Sequence, residues 1–289
     1  TPSHWAYLKI AEGCDNRCSY CAIPGIRGKF RSRKIESVVD EAKSLVNRGV
    51  KEIILVAQDT TKYGQDLYGE YSLDKLLKEL VKIDGLEWIR LFYCYPQRIT
   101  DSLIEVIANE EKVCNYIDIP LQHSDTTVLK NMNRVGDGNN YRVLLDKMRK
   151  AIPDLALRTT FMVGFPGETD EQFENLCDFV KDMKFDKMGC FTFSPEEDTP
   201  AFDMDNQIDE DVKKLEYTLK NKNEELIKLK NKIKEYSFLV DSGVTINIDD
   251  IFNYYYEKYK KTINIGVYNA DLEVFNAKVN NEEVKIHVP

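Results

Sequence analysis

Residues 5–24, WAYLKIAEGCDNRCSYCAIP, place three cysteines directly after a short apolar run. The run at residues 5–10 predicts a buried strand, and Cys14, Cys18 and Cys21 follow it within eight residues, in the pattern Cx3CxxC. Tetrahedral metal sites normally take four ligands, yet no fourth cysteine lies nearby in the sequence. The stretch therefore predicts a metal centre with three thiolate ligands at the end of the first strand.

Strand and helix patterns alternate around this stretch and beyond it. Apolar runs predict strands, each buried on both faces, at residues 5–10, 52–57, 88–93, 116–119, 155–163 and 187–193. Amphipathic runs predict helices at residues 35–47, 73–82, 100–109, 139–151 and 169–182, the last with a capping box at Thr169 and Gln172. This alternation predicts an α/β fold with a parallel sheet, either open and doubly wound or an incomplete barrel. In both, ligands bind beyond the carboxyl ends of the strands.

The character of the sequence changes after about residue 205. A Lys/Glu-rich run at residues 210–235, with Leu and Ile at helical spacing, predicts a long connecting helix. Beyond it, short strands are predicted at residues 245–248, 262–268, 272–279 and 284–288, and a hairpin joins the last two. We therefore expect a core at residues 1–205, a connecting helix at 206–236 and a small, mostly β module at 237–289.

Composition excludes several classes of protein. The chain has 289 residues, and its longest apolar runs are too short to cross a bilayer, so no membrane partner is expected. A net charge of -9 argues against an extended nucleic-acid surface. The seven cysteines do not form the even framework of a secreted disulfide scaffold, and no leader follows Thr1. We expect a cytoplasmic location and a chain that begins inside a longer polypeptide. Four single cysteines are expected to be small buried apolar residues: Cys94, Cys114, Cys177 and Cys190.

Two kinds of metal centre fit the three cysteines. Iron–sulfur clusters are commonly held by clustered cysteines, and a 4Fe–4S cluster bound through three irons leaves one iron open for the amino and carboxylate groups of S-adenosylmethionine (SAM). The alternative is structural zinc with His4 or His123 as the fourth ligand, although zinc sites usually combine two separated ligand pairs. The spacing, taken with the alternating strands and helices, favours the cluster.

Several segments of the chain resemble the radical SAM methylthiotransferases, and among them the RimO family. The resemblance runs from Thr1 to about residue 211, and besides the cysteine stretch it includes ILVAQDTTKYGQDLYG, YPQRITDSLIEVIA, YIDIPLQHSDTTVLKNMNR, LRTTFMVGFPGETDEQF and FTFSPEEDTPAFDM. It implies a partial (βα)6 TIM-like barrel, a 4Fe–4S cluster on the three cysteines, and methylthiolation of the β-carbon of an aspartate in a small-subunit ribosomal protein. It also implies SAM as methyl donor and radical source, and an electron donor such as flavodoxin or ferredoxin.

The resemblance also implies which domains accompany this core in the family and which other classes of protein are alternatives. In this family an additional amino-terminal domain holds a second cysteine triad and a second cluster needed for sulfur insertion, so we expect these 289 residues to bind one cluster and cleave SAM without completing methylthiolation. The family also has a small β-barrel, the TRAM domain, in the place of residues 237–289. The alternatives are a tRNA adenosine methylthiotransferase of the MiaB type and a non-catalytic, metal-stabilised binding module.

Eight residues near predicted strand ends or in the glycine-containing turn are candidate SAM contacts: Tyr20, Gln58, Asp59, Gln122, Arg134, Arg158, Gly164 and Gly167. The Tyr20 ring suits either the adenine or ordinary loop packing. Asp59 suits either the ammonium group of SAM or capping of the following turn. Arg134 and Arg158 suit either a carboxylate of SAM or of a substrate aspartate, or a solvated or structural charge. The glycines suit either close approach of the backbone to a ligand or an ordinary tight turn.

Overall fold

The computed structural model describes residues 3–210, Lys213, 274–279 and 282–287. Within them the strands are β1 (Trp5–Lys9), β2 (Ala11–Glu12), β3 (Arg31–Ser32), β4 (Glu52–Val56), β5 (Trp88–Leu91), β6 (Val113–Asp118), β7 (Ala156–Val163), β8 (Lys187–Thr192), β9 (Val274–Val279) and β10 (Glu282–His287). The α-helices are α1 (Ile23–Arg27), α2 (Ile35–Asn47), α3 (Gln65–Tyr68), α4 (Leu73–Leu80), α5 (Asp101–Asn109), α6 (Thr126–Asn131), α7 (Gly138–Ala151) and α8 (Asp170–Met183). All six predicted core strands and all five predicted core helices are present, with small differences at their ends.

The main sheet decides between the two predicted architectures. Its strands lie in the order β1, β4, β5, β6, β7, β8, and every neighbouring pair is parallel. A doubly wound sheet reverses its strand order at a switch point, whereas this order simply follows the chain. Because parallel crossovers are right-handed, a sequential order puts the helices on one face, as in a barrel. The partial TIM-like barrel is therefore confirmed.

Helices cover the outer face of this sheet. α4 buries leucines at the spacing of one helical face: Leu73, Leu76, Leu77 and Leu80. Successive helices of the outer layer touch one another, α2 with α4, α4 with α5, α5 with α7 and α7 with α8. α8 begins with the predicted capping box, in which Thr169 Oγ1 accepts from the Gln172 amide and the Gln172 side chain accepts from the Thr169 amide. The helix signals in the sequence, namely the leucine spacing and the capping box, thus agree with the packing of the outer layer.

The inner face of the sheet is more open than the sequence predicts. Along β7 buried residues alternate with half-buried ones, and none of the six residues of β8 is buried. Among the six strands only β4 has three consecutive buried residues, Ile53, Ile54 and Leu55. The prediction that each strand is buried on both faces is therefore wrong. The physical reason is that six strands form only part of a barrel, so the inner side chains are not enclosed by strands on the far side.

The chain divides into two compact units, Thr1–Lys213 and Lys214–Pro289. In the second unit β9 and β10 pair antiparallel, with Val274 opposite His287, as expected for the predicted hairpin. The predicted strands at residues 245–248 and 262–268, and most of the predicted connecting helix, lie outside the described residues, so the three-part division stays a prediction. No helix in the described part of the chain is long and apolar enough to span a membrane.

Phe161 on β7 tests the packing of the outer layer. Its side chain is fully buried, and its ring centroid lies 5.8 Å from that of Phe185 and 6.3 Å from that of Phe179. We expect Phe161→Ala to lower the free energy of unfolding by about 3–5 kcal/mol, because a large buried ring is lost and a cavity remains. Guanidinium chloride unfolding measures this loss.

The control for Phe161 is Val143→Ala on α7, because Val143 is 70% exposed. It should change the free energy of unfolding by less than about 0.5 kcal/mol. Equal effects of the two substitutions would contradict the described packing.

Candidate cofactor site

A cavity of about 340 Å³ opens at the carboxyl ends of the strands. Its walls come from the loop after β1, from the segments that follow β4, β5 and β6, and from the inner faces of β7 and β8. Its volume is within the range of small-molecule sites, about 300–1,000 Å³. Eight predicted site residues line it: Cys14, Cys18, Tyr20, Cys21, Gln58, Gln122, Arg134 and Arg158. The other three, Asp59, Gly164 and Gly167, are not among its lining residues.

Backbone contacts fix the cysteine loop. β2 pairs with β3 in a short antiparallel ribbon that the sequence did not predict, and the Cys14 amide donates to the Gly28 carbonyl oxygen at 3.1 Å. Gly13 has a φ of 77°, and a Cβ atom there would lie 2.2 Å from the Lys29 carbonyl oxygen. Only glycine fits this conformation and this close approach. The position of the first cysteine therefore depends on Gly13.

The three thiols border the same cavity. Cys14 and Cys18 are buried, Cys21 is half-buried, and all three are free thiols. Burial raises the pKa of Cys14 and that of Cys21 above the ordinary thiol value. Both are therefore protonated at neutral pH in the metal-free protein, and a metal that binds them must displace the protons.

The scattered cysteines behave differently from one another. Cys94 also lines the cavity, but it is 1% exposed, its sulfur lies 3.7 Å from Thr60 Oγ1, and burial raises its pKa to about 12. The expectation of a buried thiol is confirmed for Cys94 and wrong for the half-buried Cys114, Cys177 and Cys190. Cys190, for example, lies on β8 at the edge of the sheet, where no residue is buried.

Neither candidate histidine is placed to complete a zinc site. His123 is buried, and its Nδ1 accepts from the Asp125 amide at 3.0 Å, so the proton is on Nε2, which lies 3.0 Å from Glu168 Oε1. His4 is exposed and precedes β1, at the opposite end of that strand from the cysteines. Among the described residues no three His, Cys, Asp or Glu side chains are arranged to hold a single metal ion. Three cysteines on one loop at the cavity supply the thiolate ligands typical of an iron–sulfur cluster.

Arg134 lies against the cysteine loop. Its Nη1 is 3.8 Å from Cys18 Sγ, its Nη2 donates to the Pro120 carbonyl oxygen at 2.8 Å, and its guanidinium carbon is 4.5 Å from the Tyr95 ring centroid. Its buried Nε has no hydrogen-bond partner in the described part of the chain. Orphaned buried N–H groups are rare in folded proteins, and such a donor commonly faces a bound ion or group. The sulfur atoms of an iron–sulfur cluster on Cys18 would provide acceptors, so the residues present fit that group.

Asp59 is engaged outside the cavity. It is 1% exposed and accepts from Arg98 Nη1, from Asn16 Nδ2 at 3.0 Å and from Thr61 Oγ1 at 2.6 Å. Its Oδ1 also accepts from the Lys62 amide at 3.2 Å and caps the short 3-10 turn there. Its oxygens are therefore occupied. The structure shows the capping alternative, and contact of Asp59 with SAM stays a prediction.

The two candidate glycines lie against other parts of the chain. Gly164 has a φ of 70°, and a Cβ atom there would lie 2.4 Å from Lys213 Cγ. The Gly167 amide donates to the Asn206 carbonyl oxygen at 2.8 Å. Other atoms do come close to the backbone at both glycines. At Gly164 they belong to the side chain of Lys213, and at Gly167 to the backbone of Asn206. Contact of these glycines with SAM stays a prediction.

The remaining candidates form part of the cavity wall. Tyr20 packs edge-on against Phe165, with ring centroids 6.5 Å apart, and borders the cavity as well. Arg158 Nη1 donates to the buried carboxylate of Asp118 at 2.8 Å. Tyr20 therefore packs within the loop and also lines the cavity. Arg158 is held through one nitrogen of its guanidinium group.

Among the residues that sequence reasoning missed, Asn16 and Tyr95 line the cavity, and Arg98 contacts both of them. Asn16 joins Asp59 to Arg98, whose Nη2 donates to Asn16 Oδ1 at 2.8 Å. The Tyr95 ring centroid lies 4.5 Å from the guanidinium carbons of both Arg98 and Arg134. The signal that could have found Tyr95 is its place just beyond β5, since every segment that follows a strand of this sheet reaches the same edge.

A partial barrel with three cysteines after its first strand defines the core of a radical SAM enzyme. The model of the radical SAM superfamily matches residues 8–180. The chain therefore belongs to the radical SAM superfamily.

Two curated relatives show which members of the superfamily this chain is similar to. The chain is 58% identical over 217 residues to the ribosomal protein uS12 methylthiotransferase RimO of Desulforamulus reducens, covering 75% of this chain and 49% of that protein. It is 52% identical over 233 residues to the protein of the same name from Clostridium tetani, covering 81% and 51%. The chain thus spans about half the length of the curated relatives it matches.

Two solved structures share the fold. The radical SAM methyltransferase TsrM from Kitasatospora setae, with cobalamin and a 4Fe–4S cluster bound, has a TM-score of 0.57 at 19% identity, covering 68% of this chain and 38% of TsrM. Coproporphyrinogen III oxidase (HemN) from Escherichia coli has a TM-score of 0.56 at 16% identity, covering 84% and 54%. At such identities the likeness concerns the fold alone.

A pair of glycine substitutions tests the cysteine loop. We expect Gly13→Ala to reduce cluster loading, because the new Cβ atom would overlap the Lys29 carbonyl oxygen, 2.2 Å away. A strained backbone costs about 1–3 kcal/mol, which corresponds to roughly 5- to 150-fold weaker binding. Iron and sulfide analysis after anaerobic reconstitution measures the loading.

Gly25→Ala is the matched control, since Gly25 is in α1 and a Cβ atom there meets nothing within 4 Å. It should load as the unsubstituted chain does. Normal loading of Gly13→Ala would show that the loop does not depend on Gly13.

Proposed function

We propose that this chain is the SAM-cleaving core of a methylthiotransferase that acts on ribosomal protein uS12, the activity named for the relatives above. The arrangement of the cysteines carries the proposal. Cys14, Cys18 and Cys21 border one cavity, whereas Cys94 at the same cavity is a thiol with a pKa raised to about 12. Three protein ligands for a four-iron cluster leave one iron for SAM.

The residues of the wall supply binding and orientation. When bound, a 4Fe–4S cluster with SAM supplies reductive cleavage of a carbon–sulfur bond. Arg158 has one nitrogen committed to Asp118 and borders the cavity, so its other donors suit a carboxylate of SAM or of the substrate aspartate. Gln58 and Gln122 offer amide groups, and the Tyr20 ring offers an apolar wall.

The open inner face of the sheet supports a macromolecular substrate. Tyr93 and Phe191 border the cavity and are 46% and 60% exposed. Exposed aromatic side chains are enriched where proteins bind one another. We infer that a loop of the substrate protein packs on these rings and brings its aspartate side chain to the cavity.

The remaining partners follow from the same proposal. An electron donor such as flavodoxin or ferredoxin supplies the electron for SAM cleavage. A substrate that belongs to the ribosome agrees with a cytoplasmic location. Because these 289 residues hold one clustered cysteine triad, we expect them to cleave SAM without forming the methylthiolated product.

Anaerobic reconstitution tests the cofactor chemistry. The chain should bind about four irons and about four sulfides, and with dithionite and SAM it should form 5′-deoxyadenosine. Cys18→Ala should abolish both results, while Cys114→Ala, a half-buried cysteine of β6 away from the cavity, should preserve them. A colourless chain, or one that binds zinc instead of iron, would contradict the proposal.

A deletion strain tests the substrate. Removal of the coding sequence should abolish the methylthio group on uS12, as seen by mass spectrometry of ribosomal proteins, and leave methylthiolated tRNA adenosine unchanged. Loss of the tRNA modification with uS12 intact would instead favour the tRNA adenosine methylthiotransferase.

A further inference from the structure

Arg134 is a buried cation beside Cys18, and among the described residues its charge has no carboxylate partner. The arginine is 9% exposed, and its Nη1 is 3.8 Å from Cys18 Sγ although the two residues are 116 positions apart in the chain. Neighbouring Arg98 is paired with Asp59, and Arg158 is paired with Asp118. Within the described residues no such ion pair involves Arg134. A buried charge without a counter-charge is costly, so the site is suited to a negative group that would offset this charge.

The surroundings of Arg134 keep its guanidinium group in place without neutralising it. Its Nη2 donates to the Pro120 carbonyl oxygen at 2.8 Å, and the Tyr95 ring lies 4.5 Å from its guanidinium carbon. Both partners are neutral. Its buried Nε has no acceptor among the described residues. The side chain is thus oriented by neutral groups while one N–H donor and the full charge stay available.

A cluster on the three cysteines is the negative group that would use this charge. Its thiolate ligands carry negative charge, and one-electron reduction makes the cluster more negative by one unit. Net charge and hydrogen bonds to sulfur are two of the properties that set the potential of an iron–sulfur cluster, and groups around the ligands tune a metal centre. A fixed cation next to Cys18 therefore stabilises the reduced cluster more than the oxidised one.

We propose that Arg134 is a positioning residue that raises the reduction potential of the cluster held by Cys14, Cys18 and Cys21. When a cluster is bound, the charge of Arg134 would favour its acceptance of one electron from a low-potential flavoprotein or iron–sulfur donor, with no bond formed or broken and no proton moved. This role differs from the carboxylate contact predicted for Arg134 from the sequence. It rests on the proposed function only in requiring that the cluster is bound.

The test is a potentiometric titration of the reconstituted chain, without SAM, followed by electron paramagnetic resonance of the reduced cluster. Arg134→Gln should lower the equilibrium constant for one-electron reduction at least tenfold, a shift of about 59 mV to lower potential. Arg134→Lys keeps the charge and should shift the potential less. Iron and sulfide analysis beforehand establishes that each variant carries the same cluster.

Arg142→Gln is the matched control. Arg142 also packs on an aromatic ring, 4.9 Å from the Phe179 centroid, and pairs with Asp182 on the outer layer. Its removal should leave the potential unchanged, which separates the specific effect of Arg134 from the loss of any positive charge. A fully loaded Arg134→Gln variant with the potential of the unsubstituted chain overturns the inference.

A second measurement covers the case in which Arg134→Gln does not retain its cluster. The unsubstituted chain is labelled with guanidino-15N arginine, and hyperfine spectroscopy of the reduced cluster should detect a coupled 15N nucleus that is lost in labelled Arg134→Lys. Absence of the coupling in the unsubstituted chain overturns the inference. An unsubstituted chain that takes up no cluster contradicts the proposed function instead, so the two failures are distinguishable.

Discussion

The parallel pairing of six strands in chain order is the constraint on which the site depends. Each strand of such a sheet delivers its following segment to the same edge. The cysteines after β1, Tyr95 after β5 and Gln122 after β6 therefore meet at one cavity, although long helices separate them in the chain. The contact between Arg134 and Cys18 spans 116 positions. A slip in the pairing of any of these strands would separate the residues of the site.

Among the described residues around the cavity, Arg98 and Arg158 are each paired with a carboxylate, whereas Arg134 is not. Asp59 with Arg98 and Asp118 with Arg158 each combine a carboxylate that is 1% exposed with an arginine. A buried ion loses its hydration, which costs free energy. A hydrogen-bonded partner of opposite charge offsets part of that cost. Arg134 stands apart, with sulfur, carbonyl and aromatic neighbours. The charge of Arg134 is the feature on which our proposal of a negative group at the cysteines rests.

Most of the core fold and part of the site were predictable from local sequence signals. The cysteine spacing placed Cys14, Cys18 and Cys21 correctly at the end of the first strand, and the capping box at Thr169 is present. Asp59 was predicted on the correct loop, but its carboxylate is turned to Arg98. Position along a strand indicates which edge a residue reaches, whereas the direction of its side chain depends on partners from distant segments.

The sequence by itself determined the order of strands and helices and the place of the cysteine triad, because hydrophobic periodicity and cysteine spacing are properties of neighbouring residues. Only the tertiary structure decided that the inner face of the sheet is open, that Gly164 accommodates Lys213, and that Arg134 lies beside Cys18 with no carboxylate partner among the described residues. These features depend on which distant side chains meet at one edge of the sheet and on how their charges balance there, which no local pattern specifies.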